Sequence, residues 1–331
     1  MADLKTKYMG LELRSPIIAG SCGLTSDVEK MVEMEKAGVG AVVLKSIFED
    51  QINEETSGVF KAGYGMGDAY PEAEDYIKAY IRSNTIQKYV ELVRNAKSRL
   101  TIPVIASVNC FSGGEWVSFA RQLEEAGADA LELNVFILPV NEFKESAEVE
   151  NVYFEIVKSI KSQIKIPVSV KISHYFTNLS AFVDKIKAYG ANATTLFNRF
   201  YEPDININTL EMGAASVFST AAELRTTLRW TGILAGKDKK LEISASTGVH
   251  GGEAAVKLLL AGATTVQVCS VLYEKGIHVI EDINNFIGKW MDSKAFKTIG
   301  DYRGMLSYSS IENPDLYERA QFMKYFSNKQ Y

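Results

Sequence analysis

The sequence predicts an α/β protein of the (β/α)8 class, the TIM barrel, in which eight parallel strands close into a cylinder inside a ring of helices. Three observations carry this reading. Four times a helical stretch ends in glycine and an apolar run follows: KAGVGAVVLK, EAGADALELN, AYGANATTLF and LAGATTVQVC. The glycine is free to take a left-handed cap, and the run after it reads as a strand buried on both faces. Filling in between these joints gives eight β/α units in succession. So many units favour a closed barrel over a doubly wound open sheet, the alternative, which usually has fewer units and a break halfway. Finally, 331 residues at 47% hydrophobic content suit a barrel of ordinary size. One domain over 1–331 is expected, with an insertion at 46–100 and a second long loop at 199–220.

Taken in order, residues 5–14 read as a hairpin that plugs the bottom of the barrel. The strands are expected at 16–20, 41–45, 103–108, 130–135, 167–172, 193–198, 241–246 and 264–269. Amphipathic stretches at 26–37, 115–126, 178–189 and 221–230 are among the helices between them. Two intervals, 45–103 and 198–241, are too long for a bare helix. Loops after strand C-termini build the active site of such barrels, so these insertions are expected to wall or cover it. The first contains YGMGDAYPEAEDYIKAY, which reads equally well as a solvated helix or as ligand-contacting. The terminal YERAQFMKYF reads as a packing helix.

Composition excludes several function classes. Lys plus Arg number 36 against 41 for Asp plus Glu, a net charge of −5, which argues against nucleic acid as a partner. No apolar run has the length of a membrane span and the first residues carry no signal-type apolar region, so a soluble cytoplasmic protein is expected. Cys22, Cys110 and Cys269 show neither a disulfide framework nor metal-ligand spacing, and no metal site is expected.

The most informative stretch is LEISASTGVHGGEAAVKLLLAGATTVQVCS, residues 241–270. It reads as strand, tight turn at Ser246-Thr247-Gly248, helix opened by Gly251-Gly252, and strand. A helix N-terminus after small residues suits an anion, because unpaired N–H groups and the helix dipole both favour a phosphate. The pair Cys269-Ser270 leaves the next strand where it could close on the same phosphate. The other strand ends carry Ser21, Lys45, Asn109, Asn134, Lys171, His174 and Asn198, a ring of hydrogen-bonding groups. A lysine at a strand end ordinarily reaches to solvent. Two at one mouth, opposite a phosphate turn, favour an anionic or electron-rich ligand.

With LELRSPIIAGS, GAVVLKS, ALELN, PVSVKISHYF, the run from Ser246 through Leu272 and the C-terminal SKAFKTIGDYRGML, the chain resembles the dihydroorotate dehydrogenases, particularly the soluble class 1 enzymes, over nearly its whole length. The resemblance implies FMN at the C-terminal face and oxidation of dihydroorotate to orotate in pyrimidine biosynthesis. It places Lys45 against the flavin and substrate, Lys171 at the pyrimidine edge of the ring, and Gly20, Ser21, Asn109 and Asn134 around it. Thr247, Gly248, Cys269 and Ser270 would hold the phosphate, and Asn198 the substrate. It also implies a homodimer, with fumarate or an electron-transfer partner subunit as the electron sink.

Departures from the family pattern bear on the chemistry. The loop after the fourth strand normally carries a Cys or Ser base; here it reads Asn134-Val135-Phe136-Ile137-Leu138-Pro139-Val140-Asn141, with no thiol or hydroxyl. Tyr70-Pro71-Glu72 stands where Leu-Pro-Asn is usual, setting the Glu72 carboxylate at a substrate position. Cys269 replaces a glycine, and Arg199 adds a charge of no evident purpose. Replacement bases are sought in His174, Tyr70 and Cys110. His250 is read as a phosphate neighbour. Three alternatives stay open: a related flavoprotein with another small substrate, a Schiff-base aldolase-like barrel using Lys171, and a non-catalytic flavin-binding protein.

Overall fold

The strands predicted from the joints form in order. The computed structural model describes residues 2–48, 71–109 and 113–319. After a hairpin of β1 (Thr6–Tyr8) and β2 (Leu11–Leu13) come β3 (Ile17–Ala19), β4 (Ala41–Val43), the two-residue β5 (Ile47–Phe48), β6 (Val104–Asn109), β7 (Ala130–Asn134), β8 (Val168–Ile172) and β9 (Ala193–Leu196). A second hairpin, β10 (Pro203–Asn206) and β11 (Glu211–Ala214), precedes β12 (Glu242–Ala245) and β13 (Thr265–Val268). Parallel pairing runs β3-β4-β6-β7-β8-β9-β12-β13 and returns to β3, closing an eight-stranded barrel. The strands stop short of the apolar runs that announce them. In β9, for example, pairing ends at Leu196, while Phe197 and Asn198 turn into the loop and the Asn198 N–H still donates to Ile172 O at 2.8 Å.

Helices alternate with the strands: α1 (Val28–Lys36), α2 (Pro71–Arg99), α3 (Gly113–Glu125), α4 (Ser146–Lys161), α5 (Leu179–Ala188), α6 (Leu224–Lys237), α7 (Gly252–Ala261), α8 (Ser270–Lys275), α9 (Val279–Ser293) and α10 (Asp315–Glu318). Side chains set their starts. Asp27 accepts from the Glu29 N–H at α1, and Asn178 from the Ala181 N–H at α5, each satisfying a donor the helix leaves unpaired. The main core lies between helices and strands, where Met31, Met34, Val93, Leu123, Val157 and Ile186 are fully enclosed. Phe176 stacks on Phe182 at 3.8 Å between centroids, and Tyr153 meets Phe182 edge-on.

A second, smaller core fills the barrel itself. Tyr8, Met9 and Leu13 of the first hairpin pack beneath Ile18, Ala41, Val43, Ile105, Ala130 and Ala193. This is the bottom plug expected from residues 5–14. The buried Tyr8 hydroxyl donates to Ser169 Oγ at 3.2 Å, and burial pushes its pKa up, so it stays protonated. Tyr8→Phe is expected to cost about 0.5–1.5 kcal/mol by denaturant unfolding, since only one neutral hydrogen bond is lost and the ring remains.

Residues 199–220 hold more structure than a loop. β10 and β11 pair antiparallel, Pro203 opposite Ala214 and Asn206 opposite Glu211, with both strands exposed. A ribbon with no buried face has no apolar alternation, so PDIN and EMGA give no strand signal. Of the long first insertion, residues 49–70 lie outside the described residues. So do 320–331, most of the expected terminal helix; within the described residues α10 ends at Glu318, only two residues into that stretch, and Arg319 is non-helical. Among the described residues no helix is long and apolar enough to cross a membrane.

Candidate active site at the C-terminal mouth

Side chains two apart on a strand share a face. The inward faces therefore carry paired polar residues: Ser107 and Asn109 on β6, Glu132 and Asn134 on β7, Ser169 and Lys171 on β8, and Gln267 with Cys269 at the end of β13. Nearly all are buried. They form a polar column up the barrel axis. Ser169 Oγ lies 3.0 Å from Thr195 Oγ1, and Thr195 donates to Glu132 Oε2 at 2.9 Å. Gln267 Nε2 donates to the same oxygen at 2.7 Å. The other carboxylate oxygen, Oε1, faces Lys171 Nζ at 3.7 Å, and both side chains are almost wholly enclosed. An ion pair this deep holds only because hydrogen bonds fix the carboxylate. Lys171 is thereby stationed at the top of the column with N–H donors left for another acceptor.

Above it opens a cleft of about 170 Å³ lined by Ser21, Lys171, Asn198, Arg199, Ser219, Thr247, Gly248, Gln267, Cys269 and Ser270, among others. It unites most of the residues singled out from the sequence. Asn134 joins through Asn198, whose Nδ2 donates to Asn134 Oδ1 at 2.9 Å. Gly20 adjoins it; a Cβ there would fall 2.6 Å from Cys269 Sγ. Ser21 Oγ accepts from the Ser46 N–H at 2.8 Å, and Ser46 Oγ lies 2.7 Å from Ser107 Oγ, which ties the first three strand ends together. Tyr89 of α2 both accepts from the Ser107 N–H and donates to Ser107 O, so α2 is anchored to the same belt.

At the other side of the cleft Thr247 and Gly248 both take positive φ, 78° and 79°. The Thr247 hydroxyl donates to Phe197 O at 3.0 Å, and Thr227 Oγ1 donates to Ser246 O at 2.9 Å, so the turn is held on both flanks. Helix α7 begins four residues later without a side-chain cap, which leaves its first N–H groups for an anion. Ser219, in the segment after the β10–β11 hairpin, donates through its backbone N–H to Ser270 Oγ at 3.0 Å, and its Oγ lies 3.3 Å from His250 Nε2. His250 is thus a neighbour of this end of the cleft. Arg199 finds its purpose here: it pairs with Glu223 and Glu202 at 3.0 Å and donates to Ser216 O and Val217 O, pinning the segment that follows β11 at the cleft, where Val217 is a lining residue.

Not every candidate gathers here. Lys45 is exposed and lines a different cleft, with Ser26, Asp27, Ile47 and Lys88 between α1 and α2. His174 stands at the rim, its ring 4.3 Å from Tyr175 and 5.7 Å from Phe197, and desolvation holds its pKa below the ordinary imidazole value. Tyr70 and Cys110 lie outside the described residues, as does the Glu72 side chain. Asn109 ends β6 buried, with Oδ1 unpartnered among the described residues. The sequence reading missed Glu132 and Gln267, although a Glu and a Gln two residues before Asn134 and Cys269 in otherwise apolar strands share the inward face.

These residues fit a flavin mononucleotide. The turn and the uncapped helix provide a phosphate seat. At the cleft wall Gln267 Oε1, buried and without a hydrogen-bond partner among the described residues, and the Lys171 ammonium provide an acceptor and a donor of the kind that the polar edge of a flat ring requires.

The family model described as dihydroorotate dehydrogenase matches residues 3–291. The chain is 30% identical over 311 residues to the protein of Thermoplasma acidophilum named dihydroorotate dehydrogenase B (NAD(+)), catalytic subunit, covering 92% of this chain and 99% of that one. A protein of the same name from Pyrococcus furiosus is 26% identical over 322 residues, at 92% and 98% coverage. A third relative, from Aeropyrum pernix and provisionally named dihydroorotate dehydrogenase A (fumarate), is 26% identical over 322 residues, at 91% and 97%.

Proposed function

The chain belongs to the dihydroorotate dehydrogenase family, and on that premise we propose that it oxidises dihydroorotate to orotate in pyrimidine biosynthesis, with FMN held in the cleft above Lys171. The observation that carries the reading is the joining, in one cleft, of an ammonium seated on the buried Glu132 to the Thr247-Gly248 turn. FMN, when bound, supplies the hydride acceptor.

The chain's own residues do the rest. Backbone N–H groups of Thr247, Gly248, Cys269 and Ser270 hold the phosphate. Gly20 and Ser21 would line the ring; a Cβ at position 20 would fall 2.6 Å from Cys269 Sγ. Lys171, with Asn109 from the end of β6, would bind its polar edge, where the positive charge of Lys171 would favour negative charge. The hydrogen-bonded pair Asn134 and Asn198 orients the substrate.

We assign the C5 proton to His174. Phe197, which lines the cleft, touches its ring, and the lowered pKa keeps the imidazole neutral and able to accept a proton at pH 7. A Schiff-base reaction has less support, since that chemistry needs a neutral amine and Lys171 is paired with a carboxylate. Electrons leave through a partner subunit, a reading supported by relatives named as catalytic subunits. The exposed Ile205, Ile207, Leu210 and Met212 of the β10–β11 hairpin suit a subunit contact, such as a homodimer.

The test is anaerobic. Dihydroorotate added to the yellow protein is expected to bleach the flavin band. His174→Ala is expected to slow bleaching by ~10²–10⁴-fold. The wild-type rate should hold at neutral pH and fall only below the ordinary imidazole range, as His174 takes up its proton. Bleaching by dithionite but not by dihydroorotate would overturn the substrate assignment.

A further inference from the structure

A chain of polar side chains runs from the phosphate end of the cleft out to the exposed Glu274, and the reaction proposed above uses none of them. Ser219 is buried on the cleft wall. Its Oγ lies 3.3 Å from His250 Nε2, and the other ring nitrogen, Nδ1, lies 3.1 Å from Glu274 Oε2. Toward the cleft, Ser219 donates twice to Ser270 Oγ, from its backbone N–H at 3.0 Å and from its hydroxyl at 3.1 Å. Helix α8 organises the whole chain. Ser270 and Glu274 are its members, and Lys275 Nζ donates to His250 O at 2.9 Å. Phe218 stacks on Tyr273 at 5.3 Å between centroids, which holds the Ser219 segment against the same helix.

The direction of the chain follows from what each group can do. A carboxylate only accepts, so Nδ1 of His250 carries a proton toward Glu274. With the Ser219 hydroxyl spent on Ser270, Ser219 Oγ keeps a lone pair for a proton on Nε2; in that form the ring is cationic and Glu274 is its counterion. Ser270 Oγ already accepts from two donors, and its own proton has no acceptor among the described residues. The donor left over at the end of the chain is the Ser270 hydroxyl, on the cleft wall. Hydrogen bonds in series polarise one another, so each link behind that hydroxyl strengthens it as a donor.

We propose that Glu274, His250 and Ser219 are positioning residues that aim the Ser270 hydroxyl at a phosphate monoester, and that they set the preference of this cleft for FMN over riboflavin. The inference rests on the FMN reading above and adds to its backbone N–H groups a side-chain grip on the phosphate. The chemistry suits that ligand. A monoester dianion offers only acceptors, so it gains from a wall that ends in a donor backed by a cationic ring. The neutral hydroxyl that riboflavin carries in place of the phosphate gains little from either.

The full chain, freed of flavin, is titrated with FMN and with riboflavin, and quenching of flavin fluorescence gives both affinities. Wild-type protein is expected to bind FMN at least ~10-fold more tightly than riboflavin. His250→Ala and Ser219→Ala should each weaken FMN ~10-fold, the scale of a charge-assisted hydrogen bond, and leave riboflavin unchanged. The double variant should lose no more than either single one, because both changes break the same chain. Glu274→Gln, whose amide oxygen can still accept from Nδ1, should keep more of the preference than Glu274→Ala. An undiminished preference for FMN in His250→Ala would overturn the positioning role and leave the FMN reading standing. Equal losses for both flavins would also overturn it, since a loosened wall weakens any flavin. Wild-type protein that binds both flavins alike would overturn the phosphate seat itself, and the chain's role with it.

Discussion

Lys171→Ala is expected to lower the rate of flavin bleaching by dihydroorotate by ~10²-fold or more, the size of effect seen when a positioned charge aimed at developing charge is removed. Stability should fall as well. Lys171 is paired inside the barrel with Glu132, and deleting one partner of a buried pair strands the other, at a typical cost of about 3–5 kcal/mol. Activity alone would therefore confound a lost catalytic charge with a loosened barrel. The double variant Lys171→Met, Glu132→Gln separates the two. An amide at 132 can still accept from Thr195 and Gln267, as the carboxylate does now at 2.9 and 2.7 Å, and no charge remains unpaired. Denaturant unfolding should then recover most of the lost stability while bleaching stays slow. If the double variant regains the wild-type rate, Lys171 is a structural residue and the flavin-edge role is wrong.

The same ion pair shows what the sequence can and cannot tell. Strand order was legible because seven of the eight barrel strands follow a glycine or proline break, β12 alone following Asp238-Lys239-Lys240, and the plug because residues 5–14 precede the first strand with their own alternation. Lys171, Asn198 and the Thr247-Gly248 turn were legible as strand-end residues. Glu132 was not singled out, because in a strand buried on both faces a carboxylate looks like an interruption until its inward parity with Asn134 is noticed. Parity also fails for Lys45: AVV is apolar on both sides, so nothing in the sequence says whether the following lysine turns to the mouth or outward, and it lies between α1 and α2. Arg199 had no evident role until the segment after β11 that it pins was in place.

Gly248→Ala is expected to yield a protein that is isolated without yellow colour and binds added FMN ~10–100-fold more weakly, a loss of about 1.4–2.8 kcal/mol. Two effects combine. Position 248 has φ +79°, where a side chain adds strain on the order of 1–3 kcal/mol. An added Cβ would also lie 2.2 Å from Leu224 N and 2.7 Å from Leu224 Cα. Those atoms are backbone at the start of α6 and cannot swing aside as a side-chain tip could. The turn cannot retreat freely either, since Thr227 holds Ser246 O and Thr247 holds Phe197 O. The turn must therefore deform, and with it the N–H groups assigned to the phosphate. Gly251→Ala is the matching control: its φ of 173° is extended backbone open to any residue, and a Cβ there meets nothing within 4 Å. FMN affinity measured by fluorescence quenching should fall in the first variant and hold in the second. Wild-type affinity in a folded Gly248→Ala protein would move the phosphate away from the turn, whereas equal losses in both variants would place it on the α7 N-terminus rather than on residues 247 and 248.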